Sequence, residues 1–212
     1  MRSKLHPRSA DHDIAALAAG QGGVVSRVQL LALGLAPSAI DRRLAGGRLH
    51  RVPGHRGVFM VGHTARSLRT MLWAAHLAIG PSSVISHRSA AALWELRGSA
   101  SAYVELTVPG PSRRRAAIRV HRTTWLSDAD IAMLEGLRVT CVARTLLDLG
   151  AVLDLRGVER AFDQATVNGT RDMADIGRVL QDGLRAPARR SSAQWWRAMR
   201  RAPPSPTTGS AS

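Results

Sequence analysis

The chain has 212 residues, of which 45% are hydrophobic, 21% charged and 4% aromatic, a balance that supports a packed core and excludes disorder throughout. Thirty Lys and Arg against fifteen Asp and Glu give a net charge of +15 and a pI near 11.8, which points to an anionic partner, nucleic acid first. The single cysteine, Cys141, excludes an internal disulfide framework and any multi-cysteine zinc site.

Lys4 is the sole lysine, so the positive charge is arginine. Arginine excess also follows from a GC-rich genome, which lowers its weight as evidence for nucleic acid. No run of about eighteen apolar residues offers a membrane span. The segment Met1–Asp13 lacks the apolar stretch of a signal peptide. The chain is therefore expected in the cytoplasm, without a membrane partner. Composition divides it into residues 1–62, residues 63–184, and a basic, Pro-rich tail over 185–212 that is expected to be disordered.

In the first zone, a helix is predicted from about Asp11 to Ala19, stopped by Gly20, Gly22 and Gly23. Val24 and Val25 read as a short extended piece. Ser26 and Gln29 form a capping box opening a second helix, with Gly34 suited to its end. Pro37 is placed for the first turn of a third helix, on which Ile40 and Leu44 mark the buried face and Ser38, Arg42 and Ala45 the opposite one, flanked by Asp41 and Arg43. Leu49–Val52 and Val58–Val61 read as hairpin strands around a turn of Pro53, Gly54, His55, Arg56 and Gly57. Two helices, a tight turn and a basic hairpin form the pattern of a winged helix-turn-helix. In that pattern Ser38 and Arg42 face base edges in duplex DNA, while Arg43, at the side of that face, and Arg48, Arg51 and Arg56 hold the phosphate backbone. The competing reading is a small helical domain with a hairpin and solvated arginines.

In the second zone, Leu68 to Ile79 repeats at helical spacing, and Ser86 is placed to cap a helix containing Ala90, Leu93, Trp94 and Leu96. Tyr103–Val108 and Ile118–His121 read as partner strands joined through Arg113, Arg114 and Arg115. Further helices are predicted to start near Thr140, Leu155 and Asp172. Arg144 and Asp148, four apart, are expected to pair on the surface. Little here suggests catalysis. His76, His87 and His121 are scattered in the sequence and read as structural or surface histidines. Cys141 reads as a small buried residue, the alternative being a thiolate stabilised at a helix start. Asp154, Glu159, Asp163, Asp172 and Asp175 show no clustered ligand spacing, and no Gly-rich phosphate loop occurs. No catalytic residue, metal site or cofactor is expected.

Three stretches, LAPSAIDRRLAGGRLHRVPGHRGVFMVG, SHRSAAALWEL and LRVTCVARTLLDLGAVLDLRGVERAFDQA, resemble the AbiEi-type antitoxins of type IV toxin–antitoxin systems in their actinobacterial form, across most of residues 11–184. The resemblance implies a winged-helix DNA-binding domain, promoter binding with autorepression, and a following domain that in true antitoxins counters a nucleotidyltransferase toxin. Relatives of this form continue into a nuclease domain similar to very-short-patch-repair endonucleases, which needs carboxylates for a divalent ion. After Leu184 this sequence has no carboxylate; the nuclease is expected to be absent and the tail a truncated or frame-shifted remnant.

The expectation is an α+β chain: a winged helix-turn-helix over 1–62, a mostly helical antitoxin-like domain with a small β-hairpin or sheet over 63–184, and a tail. Its function is non-catalytic DNA binding as a transcriptional (auto)regulator, with oligomeric state left open. The alternatives are an antitoxin acting through protein contacts with a nucleotidyltransferase toxin, and a remnant of a nuclease-fused relative.

Overall fold

The computed structural model describes residues 7–98, 103–110, 116–123, 126–170, 175–179 and 181. The Arg113–Arg115 connection, the helix start expected at Asp172 and the tail over 185–212 lie outside the described residues.

The chain begins with α1 (Pro7–Gly20), then β1 (Val24–Ser26), α2 (Arg27–Ala32), α3 (Pro37–Ala45), β2 (Leu49–Arg51) and β3 (Val58–Val61). The capping box at Ser26 forms as the sequence predicts: its Oγ accepts from the Gln29 amide at 3.2 Å, and its own amide donates to Gln29 Oε1 at 2.9 Å. Pro37 occupies the first turn of α3, where its missing N–H is no loss. The three strands form an antiparallel sheet in the order β1-β3-β2.

Strand β3 shows why this sheet ties the molecule together. Phe59 and Val61 face the core made by Ile14, Ala18, Leu30, Leu35 and Ile40. Val58 and Met60, on the opposite face by the two-residue period of a strand, join a second core with Leu72, Trp73, Ile85 and Leu106. That second core runs without a break from residues 1–62 into the following residues. The Thr70 hydroxyl adds a bond of 2.8 Å to the Gly22 carbonyl.

The rest of the chain gives α4 (Leu68–Ile79), β4 (Val84–Ile85), α5 (His87–Leu93), β5 (Val104–Val108), β6 (Ile118–Arg122), a 3-10 turn (Asp128–Asp130), β7 (Ile131–Leu134), β8 (Leu137–Thr140), α6 (Val142–Leu149) and α7 (Leu155–Val167). Residues 175–179 are again helical. The fold is α+β, as expected, and of the small hairpin or sheet expected over 63–184 it is a sheet that forms, mixed, five-stranded and larger than expected, in the order β6-β5-β4-β8-β7. Strands β5 and β6 are partners, yet they run parallel, Val104 opposite Ile118 and Val108 opposite Arg122. The sheet's hairpin is instead β7–β8, turned by Glu135 (φ 51°) and Gly136 (φ 80°), the left-handed pair that a two-residue hairpin loop requires.

Two further expectations need correction. Arg144 and Asp148 do pair, Nε to Oδ1 at 3.0 Å, but both are fully buried rather than on the surface. A third core of Leu146, Leu147, Leu149, Val158 and Ala161 surrounds this end of α6. Ser86 stands at the start of α5, but its hydroxyl does not cap the helix; it contacts His87 Nδ1 and accepts from Thr107 Oγ1.

Candidate nucleic-acid interface

Helix α3 is short and sharply two-sided. Ile40 is fully buried and Leu44 half-buried, whereas Ser38, Asp41, Arg42 and Ala45 are exposed. Pro37 and the extended backbone of Ala36 (φ −69°, ψ 149°) set its start, and the turn from α2 is closed by the Leu35 amide on the Leu30 carbonyl at 3.1 Å. Ser38 and Arg42 lie one turn apart on the outward face.

The remaining arginines are not equivalent. Arg43 turns back to α1, its Nε 2.9 Å from Asp11 Oδ1 and its Nη2 2.8 Å from the same oxygen. Arg48 takes the other oxygen, Nη1 to Oδ2 at 3.0 Å. One carboxylate thus holds an arginine of α3 and an arginine just before β2. Asp41, on the outward face, pairs with Arg27 of α2 at 3.6 Å.

Arg51 and Arg56 are exposed on the β2–β3 hairpin. Its turn is built around His55, 2% exposed, whose Nδ1 lies 2.8 Å from the Pro53 carbonyl. Gly54 has φ 76° and is packed so closely that a Cβ there would come within 2.8 Å of Ala117 Cβ, just before β6. The hairpin is therefore braced against the second sheet.

Of the residues expected to form the interface, Ser38, Arg42, Arg48, Arg51 and Arg56 are exposed and Arg43 is half-buried. Sequence reasoning did not find Asp11 as the common acceptor of Arg43 and Arg48, since 32 and 37 residues separate them. It also missed a cluster elsewhere: His87, Glu105 and His121, far apart in the chain, meet at the second sheet.

Cys141 stands at the N-cap of α6, its sulfur accepting from the Arg144 amide at 3.5 Å. Burial pushes its thiol pKa up, outweighing that amide, which argues against a thiolate stabilised at the helix start. No helix among the described residues is long and apolar enough to cross a membrane.

No curated protein matches the chain. Residues 12–62, the span from α1 through β3, match the family described as "Transcriptional regulator, AbiEi antitoxin". In this N-terminal module the chain is similar to AbiEi antitoxin-type transcriptional regulators.

Proposed function

We propose that residues 1–62 act as a winged helix-turn-helix binding duplex DNA, and that the protein is a non-catalytic transcriptional (auto)regulator of the AbiEi antitoxin kind. The observation that carries this reading is the outward face of α3, where Ser38 and Arg42 stand exposed opposite the buried Ile40. In it α3 enters the major groove, Ser38 and Arg42 read base edges, and the β2–β3 hairpin is the wing, with Arg51 and Arg56 on phosphates. Arg48 adds a phosphate contact while sharing Asp11 with Arg43. Arg43, the more enclosed of the two, is turned back to Asp11 and the Ala39 carbonyl and sets the angle of α3.

Residues 63–184 serve as the antitoxin-like α+β domain, and 185–212 as a separate tail. A single module of this size buries roughly 600–1,000 Å² on DNA, so tight specific binding draws on a dimer or a second contact. The word antitoxin in the family description supports a second reading, in which residues 63–184 bind a nucleotidyltransferase-type toxin. Co-purification with such an enzyme encoded beside this gene tests it.

The test of DNA recognition is fluorescence anisotropy of the full chain on the gene's own upstream DNA and on a scrambled duplex, over a salt series. Preference for the native duplex that survives rising salt, and that Arg42→Ala removes, is the expected result. Equal affinities falling together with salt reduce the interaction to phosphate contacts and overturn the sequence-reading regulator.

A further inference from the structure

His87 opens α5, Glu105 lies on β5 and His121 on β6. The parallel register sets Glu105 opposite Arg119 and Thr107 opposite His121, so these four side chains line one face of the sheet at its edge, where α5 begins. One nitrogen of each imidazole and one Glu105 oxygen lie within 4.8 Å of one another. His87 is 2% exposed and Glu105 fully buried. The two rings stack with centroids 3.5 Å apart and planes 13° from parallel.

We propose that His87, Glu105 and His121 form a binding site for one divalent transition-metal ion of the zinc class. This inference goes beyond the DNA-binding reading and does not depend on it.

Three independent features carry the assignment. The donor set is two imidazoles and a carboxylate, which suits zinc and its first-row neighbours and not magnesium or calcium, whose shells are oxygen. Three protein ligands leave a fourth position open for water or another ligand. Second, His87 has φ 52°, a left-handed conformation that costs energy outside glycine and concentrates at functional sites; this backbone brings its ring over His121. Third, the donors are themselves held. Ser86 Oγ lies 2.9 Å from His87 Nδ1 and takes a bond of 2.8 Å from Thr107, the kind of outer contact that orients a ligating ring.

The charges around Glu105 divide its two oxygens. Oε1 faces the arginines, with Arg88 Nη1 at 3.0 Å and Arg119 Nη1 at 3.7 Å. Oε2 faces the imidazoles, 3.9 Å from His121 Nε2, and also accepts the Arg88 amide at 3.1 Å. An ion on Oε2 leaves the Arg88 contact in place. Arg119 has the longer contact and a half-exposed side chain, so it is the guanidinium that swings away from the added charge. Coordination at about 2.0–2.2 Å also requires the donors to draw together and one ring to turn out of the stack, since parallel stacked rings cannot aim both lone pairs at one ion.

The test uses the full chain without an added histidine tag. Zn²⁺ is titrated against a chelating dye, and Co²⁺ is followed by its visible absorption. We expect one ion per chain, the strong visible bands of tetrahedral Co²⁺, and release of Co²⁺ by Zn²⁺. Asparagine tolerates the left-handed backbone of position 87, so His87→Asn and His121→Asn are the variants. Each is expected to lose more affinity than the roughly 10–100-fold cost of removing an outer-shell partner. As a measurement needing no variant, the ¹⁵N imidazole resonances of His87 and His121 are expected to shift together at one equivalent of Zn²⁺. Absence of stoichiometric binding, full affinity in folded variants, or unmoved His87 and His121 resonances at saturation each overturn the site.

Discussion

Arg144 and Asp148 face each other across one turn of α6, Nε 3.0 Å from Oδ1, with both side chains wholly buried. The same guanidinium reaches Asp130 from Nη1 at 3.4 Å, and Asp130 in turn meets Arg178 at 3.5 Å. A cation at the centre of two buried carboxylates serves a different purpose from a surface pair. It joins the 3-10 turn before β7 to α6, and its removal takes the shared guanidinium from both acids, leaving Asp130 to Arg178 and Ser127.

Arg144→Met tests this directly. Breaking a buried pair from one side costs about 3–5 kcal/mol where a charge is left uncompensated. Arg178 and Ser127 still hold Asp130, so the loss is expected toward the lower end of that range. Urea unfolding of the variant should show a loss of that size. A loss within about 0.5 kcal/mol, the ordinary result at a surface site, would mean that the carboxylates have other compensation or reach water.

Asp11 gives the opposite balance of stability and function. Its ion pairs to Arg43 and Arg48 are partly exposed, a setting where each pair is worth roughly 0.2–1 kcal/mol. Asp11→Ala should therefore leave the fold nearly as stable while releasing both arginines. If α3 reads DNA, affinity for the scrambled duplex rises and preference for the native duplex falls severalfold, both read by anisotropy. An unchanged preference would remove Arg43 and Arg48 from the recognition geometry.

What was legible in the sequence is what short-range chemistry decides. Ser26 and Gln29 are three residues apart, and Pro37 acts on its own turn, so both appear in the structure where the pattern puts them. The buried face of α3 follows from Ile40 and Leu44 in the same way. The second sheet was mostly hidden. Ala132, Met133 and Leu134 are strong helix formers, and only pairing with Leu137–Val139 makes their segment a strand. Strand β4 has just two residues and exists because β5 and β8 flank it. The Asp11 clamp and the His87–Glu105–His121 cluster are products of that tertiary arrangement, so no spacing announces them.

His76 predicts a pH response. Burial lowers its pKa below the ordinary histidine value, with Arg138 acting in the same direction and the Ser83 contact opposing. The unfolded chain therefore takes up a proton at His76 as pH falls through about 6.5, where the folded chain resists it. The contribution to stability is full above that value and is lost as pH falls toward the lowered folded pKa. His76→Asn should remove this component, so its urea midpoint should drop less than wild type's between about pH 7.5 and about pH 5.5. Equal drops would show that His76 titrates normally.

Cys141 is expected to be slow toward alkylating agents. Its thiol is pushed up mainly by burial, with Asp130 and Asp175 adding to the shift, and the thiolate is the reactive form. At about pH 8.5, near the pKa of a free thiol, iodoacetamide should modify the folded chain much more slowly than the urea-unfolded chain. Cys141→Ser keeps an N-cap acceptor for the Arg144 amide and should change stability by under about 1 kcal/mol. Equal alkylation rates in both states would contradict a shielded, neutral thiol.

The hairpin and α3 make separable predictions for DNA binding. A phosphate contact releases a counterion and contributes about 0.9 to the slope of log affinity against log salt. Arg51→Ala and Arg56→Ala should each flatten that slope by about 1 and weaken native and scrambled duplexes alike. Arg42→Ala should instead cost about 1–3 kcal/mol on the native duplex alone, the worth of one good base contact. The hairpin is braced through Gly54 against Ala117, so Gly54→Ala should shift the turn and weaken both duplexes without changing the slope's sign. If Arg42→Ala and Arg51→Ala behave identically on both duplexes, α3 and the hairpin act as one phosphate-binding surface and α3 does not read bases.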